Sequence, residues 1–203
     1  MKLYYLSWYS IHCMKILLEQ IRNCKICEPH LALGANPIIA ASPQSKIIII
    51  GQAPGKAVHN TSIPWNDKSG DNLREWLGID KATFYNNKII ALMPMGFCYP
   101  GKNKTGDLPP RPECAPLWHH KLMALMGNAK LILLIGQYAQ DYYLGDKAAG
   151  SLTATVQQYK KYLPLYFPLP HPSPRNNIWQ VKNDWFKSEV IPELKKRVKA
   201  AIK

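Results

Sequence analysis

The chain has 203 residues, 47% of them hydrophobic, which suits one domain with a sizeable core and would leave two domains small. Lysine and arginine number 26 against 13 aspartates and glutamates, a net charge of +13 that implies a polyanionic partner, nucleic acid foremost. Apolar runs such as Leu131–Ile135 stop far short of the roughly 20 residues a membrane span needs, and residues 1–13 lack the apolar core and cleavage site of a secretory leader.

The opening MKLYYLSWYSIHC, residues 1–13, reads as an N-terminal extension, either an added tail or a docking arm, ahead of a domain over 14–203. Met14, Leu17, Leu18 and Ile21 recur at helical spacing and predict a helix over Met14–Asn23. Cys24 and Cys27 follow in a short turn. Lys46–Gly51 (KIIIIG) is a strand apolar on both faces, as in a parallel sheet. Gln52–Asp67 is rich in Gly, Pro and Asn and reads as a loop. Ser69 is then the expected cap of a helix carrying Leu73, Trp76 and Leu77. Lys88–Met93 (KIIALM) is a second buried strand, and a Pro/Gly loop fills Pro94–Pro112. A helix over Ala115–Met126 precedes the third strand, Leu131–Gly136. Helices follow over Gln137–Leu144 and Ser151–Lys160. Tyr166–Leu169 is a short fourth strand, and Asn183–Lys199 a basic closing helix with a bend expected at Pro192.

Strands alternating with helices give an α/β fold, a three-layer α/β/α sandwich around a central four-stranded parallel sheet. Ligands of such sheets bind beyond the carboxyl ends of the strands, so the loops after Gly51, Met93, Gly136 and Leu169 should assemble the site.

Three motifs carry chemistry. Gly51-Gln52-Ala53-Pro54-Gly55 follows the first strand, and its glycines let backbone approach a ligand closely. Trp65 comes shortly after, either as a stacking platform for a planar base or as core. His171-Pro172-Ser173-Pro174-Arg175-Asn176 follows the fourth strand. Its prolines stiffen a tip able to wedge into a duplex with Arg175 on phosphate, and flipping a base costs a few kcal/mol of unstacking. Cys24-x2-Cys27 and Cys98-x15-Cys114 match thiolate ligation of a [4Fe–4S] cluster or of zinc; four unrelated thiols are the alternative. Lys102, Lys104 and Arg111 lie between the second pair, so a bound metal centre would brace a basic, DNA-facing loop. Cys13 stands outside the pattern. The expected setting is a reducing cytoplasmic compartment, with DNA as partner of a monomer and no membrane span.

From about Met14 to Lys199 the chain resembles the uracil-DNA glycosylase superfamily, and most closely its iron–sulfur branch, family 4. GQAPG resembles the motif that positions water, Ile63-Pro64-Trp65 the stacking position, HPSPRN the intercalation loop, and Ser69-Gly70-Asp71-Asn72-Leu73 the helix start after the aromatic. The resemblance implies that a base is flipped onto Trp65, with Gln52 and Ala53 lining its pocket and backbone N–H groups near Gln52 binding a pyrimidine O2. His171 would stabilise charge on the departing base while water attacks C1′. It also implies DNA contacts from Pro172, Ser173, Arg175, Asn176, Lys102 and Lys104. Departures are plain: Gln52 stands where the branch usually has glutamate, its further acidic residue falls at about Val58, and the base-reading asparagine falls near Pro94. His59 and Asn60 are the expected substitutes for orienting water, with Asp67 and Asp71 nearby. No lysine is evidently placed for a Schiff base, so the expected activity is monofunctional hydrolysis of a deaminated base. The alternative is a lesion- or nucleic-acid-binding protein that kept the fold and lost efficient hydrolysis.

Overall fold

The structure, a computed structural model, describes residues 2–104 and 106–203, with side chains from Tyr9 onward. Four parallel strands form its sheet: β1 (Ile47–Ile50), β2 (Ile90–Leu92), β3 (Leu131–Ile135) and β4 (Tyr166–Leu169), in the order β2-β1-β3-β4. Ile47 pairs with Ile90 on one side and Leu131 on the other, and Ile132 pairs with Tyr166. Every strand residue except Tyr166 is buried, which is why the sequence shows unbroken apolar runs instead of alternation.

Each face takes alternate strand residues. Ile48, Ile50, Ala91, Met93, Ile132 and Leu134 meet α1 (Lys2–Arg22), α5 (Cys114–Leu125) and α6 (Gln137–Leu144). Ile47, Ile49, Leu131, Leu133 and Phe167 meet α3 (Lys68–Leu77), α4 (Lys81–Tyr85), α7 (Leu152–Gln157) and α9 (Ile191–Ile202). The expected three layers are therefore present. The chain leaves β1 for β2 on one side and then crosses to β3 on the other, so the topological switch falls at the carboxyl end of β1, at Gly51.

Several local expectations are corrected. The first helix does not start at Met14: α1 runs unbroken from Lys2, while Met1 and the side chains of residues 1–8 lie outside the described residues. The loop expected after GQAPG contains a helix, α2 (Lys56–Thr61). Asp67, not Ser69, caps α3, its Oδ1 accepting the Gly70 N–H at 2.9 Å. The closing helix expected over Asn183–Lys199 is divided into a π turn over Phe186–Val190 and α9, and a further helix, α8 (Asn177–Lys182), precedes it. Pro192 sits in the first turn of α9, where its missing N–H is no loss, so the irregularity falls ahead of it. No described helix is long and apolar enough to cross a membrane.

Candidate active site

The loops after β1, β2 and β4 surround a cavity of about 280 Å³ at the carboxyl edge of the sheet. Gly51, Gln52, Ala53, Pro54, Gly55, Trp65, Pro94, His171, Ser173 and Arg175 line it, so three of the four expected loops converge, while the turn at Gly136 does not reach the cavity. The first two are locked together by backbone bonds, from Met95 N–H to the Gly51 carbonyl (2.8 Å) and from Gly96 N–H to the Gln52 carbonyl (3.0 Å).

Trp65 is held in an unusual way. Its φ of 57° is left-handed, costly for a bulky residue and a common mark of functional sites. Two glycines make room for it. A Cβ on Gly70 would fall 1.8 Å from the Trp65 carbonyl oxygen, and one on Gly51 would fall 2.7 Å from its Cζ2. Neither distance is tolerable, so the first glycine of GQAPG makes room for the indole and the glycine of Ser69-Gly70 for the Trp65 backbone. Its ring faces His171, centroids 5.9 Å apart and planes 28° apart.

His171 is equally fixed. Its Nδ1 accepts the Ser173 N–H at 3.2 Å. The ring proton of the neutral imidazole therefore sits on Nε2. Asn176 Nδ2 donates to the His171 carbonyl at 2.7 Å, and Asn72 Nδ2 donates to the Pro172 carbonyl at 2.9 Å. Asn176, expected on DNA, thus braces the loop from within. Asn72, noted in the sequence only as part of the helix start, ties the loop to α3. Burial pushes the His171 pKa below the ordinary imidazole value, opposed by the carboxylates of Asp67 and, more weakly, Asp107.

Those two carboxylates line the cavity; His59 and Asn60, among the described residues, do not. The reason is helical geometry. Val58 of α2 points into the cavity, and the next two residues rotate about 100° and 200° away from it. The His59 ring packs near Tyr99, centroids 6.0 Å apart, and Asn60 is exposed. Asp71 is also withdrawn, paired with Arg74 at 2.5 Å. Lys102 and Lys104 are exposed on a turn closed by the Lys102–Asp107 bridge. Gly106 of that turn abuts Arg175, its absent Cβ 3.0 Å from Nη1, and of these basic groups Arg175 lines the cavity while Lys102 and Lys104 do not.

Behind Pro94 lies a buried histidine that the sequence did not mark. His119 Nε2 bonds the Pro94 carbonyl at 3.1 Å, and Nδ1 bonds the Tyr143 hydroxyl at 2.8 Å. Burial depresses its pKa to about 4. A base whose folded pKa is depressed takes up its proton first in the unfolded chain, so stability falls as pH drops below the unfolded value of about 6.5. Between pH 7 and pH 5 this group alone is expected to remove about 2 kcal/mol. Urea unfolding of the wild type and of His119→Gln at both pH values checks it: the variant should lose that much of the pH dependence.

Cys24, Cys27, Cys98 and Cys114 line a second, small cavity beyond Phe97. Cys114 opens α5 and accepts the Phe97 N–H at 3.4 Å, and the Asn36 backbone bonds Cys98. Burial pushes the Cys98 thiol up to about 11 and the Cys114 thiol up to about 12. Among the described residues no group of three or more His, Cys, Asp or Glu side chains is drawn together as the ligand set of one ion.

Four parallel strands flanked by helices on both faces define a three-layer α/β protein, and the chain belongs to the uracil DNA glycosylase superfamily, whose family model matches residues 39–195. It is similar to the Type-4 uracil-DNA glycosylase of Thermotoga maritima, 25% identical over 139 residues that cover 66% of this chain and 67% of that one. The family-4-like branch expected from the motifs is thereby supported. Cys24 and Cys27 precede the matched span.

Proposed function

We propose that the protein is a monofunctional DNA glycosylase that extrudes a deaminated base, uracil or a relative, and hydrolyses its N-glycosidic bond. The observation that carries this reading is Trp65 facing a His171 whose Nε2 holds its only ring proton. The base stacks on the indole, a contact typically worth about 1–3 kcal/mol. Nε2–H donates to the base oxygen on which charge gathers as the bond to C1′ breaks, and this preorganised donor lowers the barrier. Because burial keeps the imidazole neutral, it stabilises the departing base by a hydrogen bond without first giving up a proton. No lysine lines the cavity among the described residues, which supports hydrolysis over Schiff-base chemistry. Gln52 takes part of the base reading in place of the asparagine absent at Pro94. Arg175, Lys102 and Lys104 engage phosphate at the rim.

The four cysteines are proposed to hold a [4Fe–4S] cluster. A single zinc needs its sulfurs about 2.3 Å from one centre, whereas a cubane takes each thiolate on a separate iron. Shared lining of one cavity, with N–H groups of Phe97 and Asn36 aimed at sulfur, fits the cluster better. When bound, it would neutralise thiolates that burial otherwise disfavours and so fix both ends of the Cys98–Cys114 loop. Iron and sulfide analysis of purified protein is expected to show about four irons per chain. Colourless protein with stoichiometric zinc would contradict it.

The reading as a whole is tested by single-turnover assays on single- and double-stranded oligonucleotides carrying uracil, hypoxanthine or xanthine. Abasic product on at least one is expected. Tight binding without product on all of them would leave a lesion-binding protein instead.

A further inference from the structure

The superfamily's usual acidic positions in this chain are Gln52, Ala53 and Val58, none of which ionises. Resting on the glycosylase reading above, we propose that Asp107, carried by the loop between Cys98 and Cys114, is the catalytic carboxylate that orients and deprotonates the hydrolytic water. Two acidic side chains line the cavity, Asp67 and Asp107, and three observations separate them.

Asp67 already has a task. Its Oδ1 accepts the Gly70 N–H at 2.9 Å and caps α3, which fixes the turn that carries Trp65. It is also the carboxylate that acts more strongly on His171, the group that meets the departing base, whereas the attacking water needs a carboxylate away from that donor. Water attacks C1′ from the opposite side.

Asp107 has the complementary placement. It is exposed at the mouth, where the sugar of an inserted nucleotide must sit once its base lies deep against Trp65 and Gly51. Its Oδ2 stands 3.5 Å from where a Cβ on Gly55 would be, so the carboxylate rests against the last glycine of GQAPG. The turn that carries it is closed by bonds from Leu108 N–H to the Gly101 carbonyl (2.9 Å) and from Asn103 N–H to the Gly106 carbonyl (2.8 Å). Gly106, the preceding residue, lies against Arg175, so the carboxylate sits beside the phosphate-binding rim.

The step balances without a further reactant. The bond between C1′ and the base nitrogen breaks, its electron pair leaving on the base, whose oxygen accepts from His171 Nε2–H. A water oxygen bonds C1′, and the proton it loses passes to the Asp107 carboxylate. Solvent later takes that proton and supplies one to the released base.

The test is single-turnover excision, at saturating enzyme, by the wild type, Asp107→Asn and Asp67→Asn, with DNA affinity measured in parallel. A positioned general base contributes about 10²–10⁴-fold, so Asp107→Asn should lose at least about 100-fold in rate. It should bind DNA as tightly as the wild type or more so, since a negative charge leaves the rim. Formate should restore part of the rate to Asp107→Ala, a rescue that a purely structural role would not show. An Asp107→Asn rate within about threefold of the wild type, or a loss carried by Asp67→Asn alone, overturns the assignment and leaves the glycosylase reading standing. A rate loss matched by lost DNA affinity and untouched by formate also overturns it. Absence of product from the wild type on every base removes the glycosylase reading itself, and this assignment with it.

Discussion

His171→Ala is expected to slow base release about 10²–10³-fold at saturating enzyme, the usual effect of removing one preorganised donor from a developing anion. The size of that effect rests on how firmly the donor is held. Ser173 N–H fixes the tautomer, Asn176 holds the carbonyl, and Asn72 holds the next residue to α3. The donor therefore needs no reorganisation when charge appears on the base. DNA affinity should change little, because the imidazole lines the cavity and carries none of the charge proposed to meet phosphate. The pH dependence follows in sign from burial: with its folded pKa lowered, the ring stays neutral below the ordinary value of about 6.5, so its protonation should not limit the rate until more acidic pH. Rapid-quench measurements on wild type and variant across pH 5 to 8 check both statements. An acid limb centred above about 6.5 and lost in the variant would contradict the buried, neutral imidazole.

Salt should weaken binding steeply. With at least three phosphates neutralised, by Lys102, Lys104 and Arg175, the slope of log affinity against log salt is about −2.7 or steeper. Raising salt from about 50 to about 200 mM then costs about 40-fold or more in affinity. Anisotropy titrations with an uncleaved duplex measure it directly. Replacing Arg175 with alanine should reduce the slope by about one, uniformly across sequences, because phosphate contacts position the duplex without reading it.

The sheet was readable from sequence because it depends on local chemistry. Ile47–Ile50 and Leu131–Ile135 are apolar on both faces, and only a strand covered by helices on both sides explains that. His171 and Trp65 were readable because stiff or Gly-flanked loops at strand ends have few other uses. The substitutes for the missing acid were not. His59 and Asn60 lay at the right distance along the chain, but α2 turned them out of the cavity. Asp67 was in view as a candidate, yet its capping of α3 depends on where that helix starts, a boundary that propensity fixes only to within a residue or two. Asp107 sits in GKNKTGD, which reads as an ordinary polar turn. Only folding of the Cys98–Cys114 loop against Gly55 gives it a place at the site. His119 gave no signal either, since a histidine on an apolar helix reads the same whether or not it grips a distant carbonyl.

The two glycines beside Trp65 show how sequence motif and geometry meet. Gly51 and Gly70 belong to different motifs, yet both are required by the same residue, Gly51 by its ring and Gly70 by its carbonyl. A positive φ at Trp65 costs about 1–3 kcal/mol and persists because its surroundings are built around it. That strain falls at the cavity wall, and strained backbone clusters at functional sites.

The most direct measurement is a crystal structure with a duplex bearing a 2′-fluorinated deoxyuridine that resists hydrolysis. The uracil ring should lie outside the helix on the face of Trp65, with O2 within hydrogen-bond reach of His171 Nε2. A uracil that remains stacked in the duplex, or one bound away from both side chains, would contradict the account.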